Sequence, residues 1–228
     1  RIRRPRGRML NPYSNISSDV NIFRGNPDIN PSMTHAIDLS YLFKMDKLTV
    51  SSSTYYNFTK DPFNMVRRES GLLNSNGNKI FYSGPVNFGN EKRIGFEVTA
   101  NYSPYKWLRF NYNFNLFNVE TSGVYNYTDA NNVARSIGLD NKANSWSTRL
   151  NSRVVLPKKI EWQTNFSYNG PQKTAQGKSY GIASVNLSFS KDILKEKGTL
   201  ALNVNDLFNS RKRIFDANIP FSLNSHTE

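Results

Sequence analysis

The chain has 228 residues, 37% of them hydrophobic, and a formal net charge of +13. It contains no cysteine, which excludes disulfide frameworks, thiolate metal sites and cysteine nucleophiles. No apolar run nears the roughly 20 residues of a membrane-spanning helix, which leaves β-strand spans open because their average hydropathy is unremarkable.

The first eight residues carry five arginines, Arg1, Arg3, Arg4, Arg6 and Arg8, and lack the apolar core of a secretion signal. Arg211-Lys212-Arg213 adds three more cations near the other end. The remaining positive charge is scattered, much of it at turns. That distribution suits solvated loops and strand ends beside anionic headgroups, not a nucleic-acid site.

From residue 37 onward the dominant signal is period-two alternation. Ile37, Leu39, Tyr41 and Phe43 make the first stripe. Leu48 to Thr59 follows, with Ser52 and Thr54 interrupting its apolar face. Ile94, Phe96, Val98, Ala100 and Tyr102 alternate with Gly95, Glu97, Thr99 and Asn101. The clearest segment is Trp107 to Asn118, where Leu108, Phe110, Tyr112, Phe114 and Leu116 oppose Arg109, Asn111, Asn113 and Asn115. Successive strand side chains point to opposite faces, so this segment has one apolar and one strongly polar face. Trp146, Leu150 and Val154 alternate with Arg149, Asn151 and Arg153. Ile160, Trp162, Phe166 and Tyr168 oppose Glu161, Gln163, Asn165 and Ser167. Ala183 to Ser190 and Leu200 to Asn205 complete eight candidate strands.

The connections decide the architecture. Lys44 to Lys47, Ser103 to Lys106, Pro157 to Lys159 and Lys191 to Gly198 are short. Lys60 to Lys92, Val119 to Ala143 and Gly170 to Ser179 are longer, and the two classes alternate. Outer-membrane barrels have this asymmetry, with tight periplasmic turns and extended extracellular loops. The expected fold is therefore all-β, an antiparallel transmembrane β-barrel. Tyr102, Trp107, Trp146, Trp162 and Tyr168 stand near the ends of apolar faces, as an interfacial aromatic girdle requires. The competing fold is a soluble, carbohydrate-binding β-sandwich, which also alternates but buries its apolar faces between two layers.

No catalytic, cofactor or metal constellation emerges, and no cofactor and no enzymatic activity are expected. His35 and His226 lie near opposite chain ends and read as surface residues. Glu97 and Glu161 share polar faces with Arg109, Arg149 and Arg153, so pairing with these arginines is the expectation. Ser70 to Asn78 has glycines without a following helix and reads as a flexible loop tip instead of a phosphate loop. Asp129-Ala130-Asn131-Asn132 reads as a surface turn. The glycosylation-like tripeptide Asn57-Phe58-Thr59 falls in a strand end and reads as coincidence.

Several motifs carry a family likeness: Arg4-Pro5, Leu10-Asn11-Pro12, Gly25-Asn26-Pro27-Asp28 with Pro31, Asn87-Phe88-Gly89 with Gly95-Phe96-Glu97, and Asp206-Leu207-Phe208-Asn209. In order and spacing the chain resembles the C-terminal barrel region of TonB-dependent receptors, within the outer-membrane β-barrel proteins. The resemblance implies a larger barrel, usually of twenty-two strands, with an N-terminal plug inside. It implies energised ligand uptake across a Gram-negative outer membrane, driven by an inner-membrane energy-coupling protein acting on the plug. Partners so implied are outer-membrane lipid, the plug, the coupling protein and a surface lipoprotein, with no nucleic acid. Residues 1–228 would then form part of one barrel domain, without plug or final strands, since eight strands leave two edges that lipid does not tolerate. Under this reading Glu97, Arg109, Asn111, Asn113, Asn115, Arg149, Asn151 and Arg153 line the lumen and touch plug or ligand. The alternative role is a plug-less outer-membrane barrel serving adhesion or envelope structure.

Overall fold

The computed structural model describes residues 1–13, 15–174, 176–194 and 197–217. The chain forms two compact units. Unit 1 comprises Arg1–Ile37, Tyr56–Arg93 and Val119–Lys142, and unit 2 comprises Asp38–Tyr55, Ile94–Asn118 and Ala143–Glu228.

The chain begins with β1 (Ile2–Arg3), a helical turn at Gly7–Leu10, β2 (Asn15–Ser18) and β3 (Asn21–Phe23). The expected strands then appear as β4 (Ser32–Lys44) and β5 (Leu48–Lys60), so the stripe interrupted by Ser52 and Thr54 is a strand nonetheless. The next connection is not simply a loop. It contains β6 (Phe63–Leu73) and β7 (Lys79–Asn87), a hairpin of its own. After it come β8 (Asn90–Tyr105) and β9 (Leu108–Ser122). The second long connection holds another hairpin, β10 (Val124–Thr128) with β11 (Ala134–Gly138). β12 (Asn141–Leu156) and β13 (Ile160–Asn169) follow, then the small strands β14 (Gln172–Thr174) and β15 (Gly177–Ser179). β16 (Ile182–Ile193), β17 (Gly198–Val204) and β18 (Phe215–Ala217) complete the described elements. The terminal SLNSHTE sequence, with His226, lies outside the described residues.

The main sheet has the order β1-β4-β5-β8-β9-β12-β13-β16-β17, a meander that follows the chain. β1 and β17 are its outer members, so among the described residues the barrel is not closed. β8 and β12 each contain 16 residues, well beyond the roughly 9–11 that span a bilayer.

Within unit 2, registers show why alternation dictates the faces. Val154, Trp162, Phe189 and Leu202 fall in one cross-strand row, and Arg153, Gln163, Ser188 and Asn203 in the next. A one-residue slip would exchange the two rows, so the register is strongly specified. Large apolar side chains on this sheet stay uncovered: Ile37 of unit 1, and Leu39, Tyr41, Leu116, Leu200 and Leu202 of unit 2, are all exposed. Phe110, Phe114 and Leu187 are only partly covered and Trp162 is exposed, so the two-layer burial of a sandwich is not found.

Unit 1 differs in kind. Ile29, Val66, Phe81, Val86, Phe88, Val119 and Leu139 are buried there, together with Pro85. Its four-stranded sheet runs β2-β3-β7-β6, with β3 parallel to β7. The expectation of a flexible tip at Ser70 to Asn78 is corrected. Ser70 is buried, its Oγ donates to the Ile80 carbonyl at 2.7 Å and accepts from the Leu72 N–H at 3.0 Å. Gly71 (φ +82°) supplies the left-handed residue where the β6–β7 register shifts. Only the turn from Asn74 to Asn78 is a tip, and the Asn74 Oδ1 accepts from the Asn76 and Asn78 N–H groups.

The family-like motifs have local physical reasons. Gly25 donates its N–H to the Asn11 carbonyl at 3.0 Å, and a Cβ there would lie 2.3 Å from that oxygen. The Leu-Asn-Pro and Gly-Asn-Pro-Asp stretches are thus zipped backbone to backbone. Gly89 (φ +66°) is equally constrained, because a Cβ would sit 1.8 Å from the Ser122 carbonyl oxygen. In the Asp-Leu-Phe-Asn motif, the Asp206 carboxylate accepts the Ser210 and Arg211 N–H groups at 3.1 and 3.0 Å and closes a turn.

Candidate functional site

All eight polar residues singled out by sequence stand on the polar face of unit 2, and the structure joins most of them. Asn111 Nδ2 donates to Asn101 Oδ1 at 2.7 Å, and Asn151 Nδ2 donates to Asn111 Oδ1 at 3.3 Å. Asn165 Nδ2 donates to Asn151 Oδ1, and Asn186 Nδ2 to Asn165 Oδ1 at 3.4 Å. Asn186 Oδ1 finally accepts the backbone N–H of Asp206 at 2.8 Å. Every link runs donor to acceptor in one direction, so the amide dipoles align head to tail across the strands. Such chains polarise one another and hold each side chain in one orientation. Registry makes this possible, since Asn151 pairs with Asn165 and Asn165 with Asn186.

Beside the ladder lies a second set. Asn113 Nδ2 donates to Glu97 Oε1 at 2.7 Å and to Thr99 Oγ1 at 3.1 Å. Tyr55 Oη donates to Asn115 Oδ1 at 3.0 Å. Gly95 leaves the room for that tyrosine, because a Cβ there would stand 2.4 Å from Tyr55 Cζ and Oη. Arg153 forms an ion pair and fork with Glu161, as expected of an arginine facing a carboxylate across neighbouring strands. Glu97 departs from the expectation: its partner is the Asn113 amide, not an arginine. Arg109 and Arg149 are exposed and make no ion pair among the described residues. Arg109 and Arg153 help line a groove of about 200 Å³ with Asn151, Gln163, Asn165 and Asn203. The arrangement offers amide donors and acceptors and free cationic charge. Its carboxylates are tied to partners, Glu97 to the Asn113 amide and Glu161 to Arg153.

Four of the five expected girdle residues have ring partners, Trp107 at the turn between β8 and β9 and the others along the strands. Trp107 stacks on Tyr105 at 5.3 Å, Trp146 meets Tyr168 at 4.7 Å and Phe114 at 6.1 Å, and Trp162 stacks on Phe189 at 5.8 Å. Tyr102, Trp107, Trp146 and Trp162 are exposed, and Tyr168 is half-buried.

Sequence reasoning missed a charged cluster in unit 1. The Asp129 side chain is fully covered; its Oδ1 accepts the Asn131 and Val133 N–H groups at 2.9 Å each. Its Oδ2 accepts Arg135 Nε at 2.7 Å, while Arg135 also reaches Glu69, which pairs with Lys79 at 2.7 Å. The Arg135 hydrogen bond, helped by the Val133 N–H, holds the Asp129 carboxyl below the usual carboxylate range. The same bond raises Arg135 further above its ordinary value. The expected surface turn at Asp129 to Asn132 is thus a side-chain-capped hairpin tip, and Asn131 Nδ2 ties it to the Gly71 carbonyl at 2.7 Å. The available signal was an acid at the start of an Asp-Ala-Asn-Asn turn with an arginine six residues on.

Among the described residues no cluster of histidine and acidic groups could hold a metal ion. No helix is long and apolar enough to cross a membrane, which says nothing of strands. A sequence model described as the outer membrane protein beta-barrel family matches residues 1–228. No curated protein sequence matches the chain significantly.

Proposed function

We propose, from the premise that this chain belongs to the outer membrane protein β-barrel family, that it is the non-catalytic wall of a receptor for TonB-dependent import. Family membership places it in the outer membrane of Gram-negative bacteria. The observation that carries the import reading is the pairing of two faces on one sheet. Leu39 and Leu202 stand uncovered on one, as a hydrocarbon-facing surface requires, and the amide ladder stands on the other. A polar inner wall suits any water-filled barrel; a row of amides held in one orientation also suits a wall that grips a polar plug or guides a polar ligand past it.

In this reading the partners are outer-membrane lipid, a plug, an inner-membrane energy-coupling protein and a surface lipoprotein. Glu97, Arg109, Asn111, Asn113, Asn115, Arg149, Asn151 and Arg153 face the plug or the ligand path, and the long connections of unit 1 meet the outside. Crosslinking in intact cells, followed by mass spectrometry of the adducts, tests it. Recovery of the energy-coupling protein is the expected outcome. Adducts confined to lipid-side and surface proteins would instead assign an adhesive or structural barrel.

A further inference from the structure

Unit 1 contains a cleft of about 360 Å³ that the wall function does not employ, lined among others by Arg24, Asn26, Arg68, Tyr82, Gly84 and Tyr125. The Arg24 guanidinium lies over the Tyr82 ring at 5.1 Å. Arg68 Nη1 donates to Tyr125 Oη at 2.6 Å, and its guanidinium lies 5.9 and 5.5 Å from the Tyr125 and Tyr127 rings. Only one of the five N–H donors of that guanidinium is directed at Tyr125. Two nearby carboxylates are committed elsewhere: Glu69 to Lys79 and Arg135, Asp129 to Arg135. Arg68 makes no ion pair among the described residues, and exposed Asp28 is the acid that the lining contains.

The cleft is built on backbone held at contact distance. Arg24 donates its N–H to the Ser83 carbonyl at 2.9 Å, and a Cβ on Gly84 would lie 2.2 Å from the Arg24 oxygen. Arg24 is thus held by its backbone and Arg68 by its register against Tyr82 in the β6–β7 pair, and the rings lying against both guanidinium groups limit where their planes turn. Guanidinium forks recognise carboxylate and phosphate oxygens, and tyrosine faces accept the flat or apolar body that carries them.

We propose that this cleft binds an oxyanion, a carboxylate or phosphate group attached to a ring-like or apolar body, with Arg24 and Arg68 on the charge and Tyr82 and Tyr125 against the body. It rests on the reading of unit 1 as ligand-facing. Binding in detergent requires no energy coupling, however, so failure here and failure of import are separable. The anion has two possible sources, a dissolved solute or the phosphate of an outer-leaflet lipid headgroup.

The test is calorimetric titration of phenyl phosphate into the protein purified in detergent from the outer membrane. Saturable binding is expected, weakened at least roughly tenfold by Arg68→Gln, as loss of a charge-assisted contact implies. Arg68→Lys keeps the charge and loses the fork, and should fall between the two. Arg24→Gln, on a different segment, gives a second readout should Arg68→Gln fail to retain heat-modifiable migration on a gel. Repeating the titration in nanodiscs with and without lipid A separates the sources. Blocked binding only with lipid A assigns the anion to lipid, and equal binding assigns it to a solute. No saturable binding by the unaltered protein, or unchanged affinity in both Arg24→Gln and Arg68→Gln, would overturn the proposal.

Discussion

In unit 1 Val66 is 2% exposed and Phe81 5%, whereas in unit 2 Leu39 is 78% exposed and Leu202 62%. Both units are mainly antiparallel β-structure drawn from one chain of ordinary composition, with β3 and β7 of unit 1 the parallel pair, yet one carries its own core and the other has apolar rows that nothing among the described residues covers. Fully burying a side chain of this size stabilises by roughly 1.5–3 kcal/mol. Unit 1 obtains that from its own residues, through Phe81, Val86 and Phe88. Unit 2 obtains it only if hydrocarbon lies against Leu39, Leu150, Trp162 and Leu202. What holds unit 2 together from within is its backbone ladder, the oriented amides, the Arg153–Glu161 fork and half-covered aromatic pairs such as Trp146–Tyr168 and Trp162–Phe189.

The largest expected effect separates the two units directly. Phe81→Ala empties part of the unit 1 core and should cost about 3–5 kcal/mol locally. Hydrogen exchange should show lost protection over residues 63–87, while heat-modifiable migration of the barrel persists. Coupled loss of both would erase the distinction. Next, Leu150→Arg on the apolar row with Phe166 should destabilise the protein in lipid vesicles by about 2–4 kcal/mol if the row lies near the bilayer midplane. Denaturant titration reads this, and the same change in a soluble sheet would favour an exposed arginine. Asn165→Ala then removes two links of the ladder, Asn165 to Asn151 and Asn186 to Asn165. At roughly 0.5–1.5 kcal/mol per hydrogen bond it should destabilise modestly, and more than Asn169→Ala at the exposed strand end.

The smallest effect is confined to acid. Because Arg135 and the Val133 N–H lower the Asp129 pKa on folding, the stabilisation is complete above the unfolded value near ~3.9. It fades as pH falls through the still lower folded value. The hydrogen-exchange protection of residues 129–135, relative to the intrinsic rate at each pH, should hold from neutral pH to about pH 4 and fall below it. Asp129→Asn should be less protected at neutral pH and show little further change in acid.

How much of this was legible follows from period and range. The stripes of β9 and β13 are readable because strict alternation permits one strand and no helix, and the structure places them as the pattern requires. The unit 1 hairpins are hidden because Gly84 and Pro85 break the alternation of β7, and an Asn-, Ser- and Gly-rich turn surrounds a serine that is buried. The polar face was readable residue by residue, whereas the ladder depends on register. Nothing local in the sequence says that Asn151 meets Asn165 instead of Gln163. Asp206 was noticed as part of a motif, and its role as the last donor of the ladder emerges only from where the chain turns after β17. Tyr55 escaped for a related reason: an aromatic on a polar face looks like noise until Gly95 is seen to make its socket.

The absence of cysteine makes the decisive measurement clean. Single cysteines placed in turn from Leu108 to Leu116 can carry a nitroxide, whose collisions with oxygen report lipid and with a nickel chelate report water. In bilayers the labels at 108, 110, 112, 114 and 116 should collide strongly with oxygen, and those at 109, 111, 113 and 115 should not. A scan without that two-residue period, or one in which the even positions are shielded from oxygen as well as from water, would contradict the assignment of this face to lipid.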